Sequence, residues 1–72
     1  MGQWKDNTYI PNEGAIIFFD WEQNGISDHV GIVEKVEDNK VHTVEVNSSN
    51  AVKQLQYNIN SKVIYGYWIV NY

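Results

Sequence analysis

The chain has 72 residues, 43 % of them hydrophobic and 14 % aromatic, with five Lys and Arg against nine Asp and Glu for a net charge of -4. That length holds one small domain with a core near the lower limit of self-sufficiency, and that aromatic content argues against disorder. Scattered acidic charge offers no basic patch for phosphates, which argues against nucleic acid, and the absence of cysteine excludes disulfides, thiolate metal sites and a cysteine nucleophile within the chain.

Residues 1–14 read as a polar N-terminal arm with isolated Trp4, Tyr9 and Ile10, closed by the turn signal Pro11-Asn12-Glu13-Gly14. Its start, Met1 to Asp6, is not a signal peptide, and no apolar run in the chain nears the roughly 20 residues of a membrane span. Ala15-Ile16-Ile17-Phe18-Phe19-Asp20 follows as a short apolar strand, expected to be buried on both faces. Trp21 to Ser27 is a loop whose Asn24-Gly25 favours positive φ and a reversal of direction.

Asp28-His29-Val30-Gly31-Ile32-Val33-Glu34 begins the next strand, which runs to about Val36 and has a histidine at its entrance. Val30, Ile32 and Val36 recur at period two, and Gly31 leaves space beside His29 for a close approach. A turn at Glu37-Asp38-Asn39 leads to a strand from Lys40 to about Asn47. Asn47-Ser48-Ser49-Asn50 is a loop, Val52 to Tyr57 a half-exposed strand, and Val63 to Val70 an aromatic final strand in which Gly66 marks a bend or close contact. The expected fold is mainly β, a twisted antiparallel sheet of about five strands over residues 15–72 within a single domain 1–72.

Register in the central hairpin decides which polar groups meet. A two-residue turn at Asp38-Asn39 would pair His29 near Ser48 and point Glu45 away from it. A three-residue turn pairs His29 with Asn47, Gly31 with Glu45 and Val33 with Thr43, and puts Asn39 in the left-handed position that such turns require. The second register is the expected one. It sets His29, Glu45 and Asn47 on one face as a site, and Val30, Ile32, Val44 and Val46 on the other as core. It also sets Glu34 opposite His42, a structural pair worth a few tenths of a kcal/mol.

A histidine beside a carboxylate and an amide is the general-base half of a nucleophilic site, since one partner fixes a ring nitrogen and the other nitrogen takes a proton. Zinc fits less well, because His29 and His42 fall on opposite faces and His29 with Glu45 supplies only two ligands. Neither a metal nor a cofactor is expected.

Taken in order, Pro11-x-x-Gly14, Ile16-Ile17-Phe18-Phe19-Asp20-Trp21, Asp28-His29-Val30-Gly31-Ile32-Val33-Glu34, Val41-x-Thr43-Val44-Glu45-x-Asn47-Ser48 and Ile64-Tyr65-Gly66-Tyr67 resemble the C-terminal half of a CHAP domain. These are the cysteine, histidine-dependent amidohydrolase/peptidases of bacteria and phages that cut peptidoglycan. The resemblance implies a papain-like arrangement whose helical half bears the cysteine and whose antiparallel sheet bears the histidine. It puts His29 on the catalytic histidine and Glu45 and Asn47 on the residues that orient it, either of which could hold the ring. The chain departs from the pattern at Ala15 and Val46 and, above all, in having no cysteine.

The implied function is therefore a fragment of a peptidoglycan amidase or endopeptidase, inactive alone, whose parent works at the cell wall or outside the cell. The alternative is a noncatalytic cell-wall-binding or protein-interaction module of the same fold. Without a helical cover, apolar surface among Phe18, Val33, Tyr65 and Tyr67 is expected to be left open, to be met by a homodimer partner, by the helical half or by the arm around Trp4 and Tyr9.

Overall fold

The structure, a computed structural model, describes residues 2–46 and 51–70. Its strands are β1 (Gly2–Asp6), β2 (Ile16–Phe19), β3 (His29–Glu37), β4 (Lys40–Val46), β5 (Val52–Asn58) and β6 (Ile64–Val70). They form one six-stranded antiparallel sheet in the order β1-β6-β2-β3-β4-β5, with no helix among the described residues.

The additional strand comes from the arm. Trp4 lies opposite Trp68 in the β1–β6 ladder, and its indole packs on Phe18 and Tyr65 with centroids 5.4 and 5.8 Å away. Gly66 makes this possible, because a Cβ there would come within 2.3 Å of the Trp4 ring and 2.8 Å of the Lys5 carbonyl oxygen. The close contact expected at Gly66 is the seat of β1.

β3 and β4 combine features of both expected registers. The turn has two residues, Asp38 and Asn39, both at positive φ (55° and 61°), which matches the twist of a tight hairpin. Glu37 accordingly pairs with Lys40 and Val36 with Val41, but the register shifts between Val33 and Lys35, so that Val33 faces Thr43 and Ile32 faces Val44. Glu34 is the extra residue of this bulge. Lys35, not Glu34, therefore lies opposite His42, and the Glu34 carboxylate accepts from Gln54 Nε2 at 3.1 Å. The bulge also turns Val36 to the face of Val33 rather than that of Val30 and Ile32.

The core lies on the opposite face from the one expected. Ala15, Ile17, Phe19, Val33, Val41, Ile64 and Tyr67 are buried together, with Tyr9, Val36, Tyr57, Ile59, Val63 and Ile69 packed around them. Val30, Ile32 and Val46 are exposed, at 49, 54 and 58 %. Curvature is the physical reason. Phe19 on β2 and Tyr57 on β5 have ring centroids 4.9 Å apart, although three strand spacings of about 4.8 Å would separate them by roughly 14 Å in a flat sheet. The sheet curls towards the His29 face and closes a core on that side, leaving the other side convex.

Two further expectations change with the curl. β2 has one fully buried face, Ile17 and Phe19, and one half-buried face, Ile16 and Phe18. Of the residues expected to lie open, Val33 and Tyr67 are fully buried, Phe18 is half-buried beneath Trp4, and Tyr65 is exposed.

Candidate functional site

His29 is the first residue of β3, opposite Phe19 at the end of β2. The chain reaches it through a tightly tied loop. Asp20, itself buried, accepts the backbone N–H groups of Asn24 (3.1 Å) and Gly25 (2.7 Å) on its carboxylate, and Gly25 takes the positive φ expected of Asn-Gly. Asp28 N–H donates to the Phe19 carbonyl at 2.8 Å, and the Asp28 carboxylate accepts Trp21 N–H at 3.1 Å. Both ends of the loop are thereby joined to each other.

This closure stacks Trp21 on Phe19, with centroids 5.0 Å apart and planes 8° from parallel. The imidazole of His29 leans against both rings, at 5.7 Å from Phe19 and 6.1 Å from Trp21, and Tyr57 completes the aromatic wall at 5.7 Å from Trp21. Such a wall restricts the ring to few orientations.

Glu45 sits beneath it. Val33 opposite Thr43 continues by parity to Gly31 opposite Glu45, and a Cβ at Gly31 would lie 2.7 Å from Glu45 Cγ. The space that Gly31 leaves beside His29 is thus filled by the Glu45 stem. The Glu45 side chain is 3 % exposed and that of His29 25 %, and Glu45 Oε1 lies 2.8 Å from His29 Nε2. Oε2 accepts the Thr43 hydroxyl at 2.5 Å and the Tyr57 hydroxyl at 2.7 Å. Three donors on one buried carboxylate compensate the cost of taking its charge out of water.

A carboxylate only accepts, so with Glu45 ionised and the imidazole neutral the proton between them is assigned to Nε2, the donor. Nδ1 then holds the lone pair, and it has no hydrogen bond to any described residue. The Tyr57 phenol is pushed well above its usual range, first by burial and then by the hydrogen bond and charge of Glu45. It remains a donor at any physiological pH.

The structure therefore brings His29 and Glu45 together on one face, as the bulged register requires. Asn47, the third expected member, lies outside the described residues. His42 is on the opposite face, between Lys35 and Gln56. No group of three or more His, Cys, Asp or Glu side chains is arranged around a metal position among the described residues. Sequence reasoning overlooked Thr43, Tyr57 and Trp21. Parity carried through the second hairpin, where Val41 faces Tyr57 and Thr43 faces Leu55, would have put Tyr57 on the Glu45 face.

No helix among the described residues is long and apolar enough to cross a membrane. No curated protein and no solved structure gives a significant match to the chain. A family model described as the CHAP domain matches residues 1–50, which include the loop, His29, Thr43 and Glu45. With more than half of the 72 residues inside that match, the chain belongs to the CHAP domain family.

Proposed function

We propose that the chain supplies the histidine half of a thiol-dependent amide hydrolase acting on peptidoglycan, with His29 as general base and then general acid. Family membership suggests the substrate class. The observation that carries the reading is the 2.8 Å bond between His29 Nε2 and the buried Glu45 carboxylate. That bond selects the tautomer whose Nδ1 can accept a proton. Asn47 shares the orienting role in this reading.

The chain has no cysteine, so the thiol comes from outside these 72 residues. A thiol brought to Nδ1 gives up its proton, and the thiolate adds to the carbonyl carbon of a wall amide. The imidazolium returns the proton to the departing nitrogen as the C–N bond breaks, leaving a thioester. Water, deprotonated by the same nitrogen, then releases the acid and the free thiol. His29 also borders an apolar groove of about 430 Å³ lined by Ile16, Val30, Gly31, Ile32, Val44 and Val46. In this proposal the thiol-bearing segment approaches the solvent-accessible part of the His29 ring, whose side chain is 25 % exposed. The site of action is the cell wall.

The test is hydrolysis of purified sacculi by the chain alone and by the chain joined to a cysteine-bearing helical segment from another family member. The joined protein turns over and the chain alone does not, and His29→Ala abolishes turnover. Hydrolysis by the chain alone, or turnover of the joined protein that survives His29→Ala, would overturn the proposal.

A further inference from the structure

We infer that Tyr57, on the edge strand β5, is a positioning residue for His29 that acts through Glu45, with Thr43 as its partner. The inference deepens the proposed function, since the imidazole concerned is the proposed base. It rests on how the two carboxylate oxygens of Glu45 are divided. A free carboxylate can offer either oxygen to an imidazole and can rotate between the two. Here Oε2 takes both hydroxyls, Thr43 at 2.5 Å and Tyr57 at 2.7 Å, and Oε1 alone is left for His29 at 2.8 Å.

The two hydroxyls approach from different directions. Thr43 is two residues before Glu45 on the same strand and on the same face, so its reach is set by β4 alone. Tyr57 lies opposite Val41, so its phenol crosses β4 diagonally to meet Glu45. It can do so because its ring rests against the stacked pair of Phe19 and Trp21, 4.9 and 5.7 Å away, the same two rings that His29 leans on. One aromatic wall thus positions both the imidazole and the donor that fixes its carboxylate. Losing the phenol hydroxyl frees Oε2 on one side, lets the carboxylate turn, and lengthens or breaks the bond to Nε2.

The chain as it stands tests this without any assay of hydrolysis. In nitrogen-15 spectra of the histidine rings, His29 shows the Nε2–H tautomer with a proton protected from solvent by Glu45. Tyr57→Phe keeps the ring packing and accelerates exchange of that proton by at least about tenfold, the loss expected for one charge-assisted hydrogen bond. Thr43→Val acts in the same direction, and Thr43→Ser, which keeps the hydroxyl, restores slow exchange. Val52→Ala, on the convex face of β5 opposite Val46, lowers strand propensity away from Glu45 and leaves the resonance unchanged, which separates positioning from general destabilisation. If Tyr57→Phe fails to fold, the Thr43 pair reads the same proton. An unchanged Nε2–H in folded Tyr57→Phe, or no distinction between Thr43→Val and Thr43→Ser, would overturn the inference. Failure to hydrolyse sacculi would bear on the proposed function alone, since the tautomer is read from the chain itself.

Discussion

Glu45 is the residue with most at stake, because three donors converge on a side chain with almost no access to water. Truncating it leaves the Thr43 and Tyr57 hydroxyls and the His29 N–H facing a void. The expected cost of Glu45→Ala is about 2–4 kcal/mol, since each abandoned buried donor carries its own desolvation penalty. Urea unfolding measures it, and a loss under about 1 kcal/mol would mean that water replaces the carboxylate without difficulty. The sequence places His29 and Glu45 on one face through an expected three-residue turn; the turn has two residues, and the bulge at Glu34, which no local signal announces, supplies the same facing. Tyr57 was not legible, because its sequence neighbours Gln54, Leu55 and Gln56 are exposed and nothing local separates a site tyrosine from a surface one.

Among the elements, β2 to β6 follow the strand and turn signals closely, whereas β1 does not. Gln3, Trp4 and Asp6 are all exposed, and five mostly polar residues carry no periodicity from which an edge strand could be read. β1 exists because β6 offers it a ladder and Gly66 offers its indole a seat. Gly66→Ala should therefore peel this strand away, at a cost of roughly 1–3 kcal/mol, as a methyl group forced into a filled space usually costs. Hydrogen exchange would show protection lost at Gln3 to Asp6 and retained in β3 and β4. Loss of protection throughout the sheet would instead make β1 part of the cooperative core.

For the whole molecule, the decision the residues left open was which face the sheet would curl around. β3 carries apolar side chains on both faces, so period two identifies the faces and cannot rank them. The ranking comes from contacts between distant strands, such as Phe19 with Tyr57. Curling buries Tyr67 completely, with its hydroxyl unpartnered among the described residues, and burial pushes that phenol from 10.0 up to about 12. The unfolded chain therefore releases the Tyr67 proton at lower pH than the folded one. The stability attached to this proton is fully present below pH 10 and is lost as pH rises through about 12. Tyr57 shifts in the same direction. Alkaline titration followed by tyrosinate absorbance and circular dichroism should show a late-ionising phase that coincides with loss of the sheet. Tyr67→Phe, which removes a buried hydroxyl without a partner, should raise stability at neutral pH and move this unfolding to higher pH. Ionisation of all tyrosines well before unfolding would contradict the burial.

The bulge at Glu34 works like a slip joint in the central hairpin. Beyond it, the turn at Asp38 and Asn39 keeps its own register; before it, Val33 and Thr43 set the one that brings His29 to Glu45. A single-residue deletion inside a regular strand ordinarily reverses every side chain on one side of it. Deleting Glu34 should instead join two halves that already share their facing, giving an uninterrupted ladder with the same tip and the same His29–Glu45 contact. Deleting Gly31 should carry His29 to the convex side. The hairpin can thus absorb a change in length at one position without moving its histidine, and chains of this kind that differ by one residue at Glu34 should be interchangeable at the site.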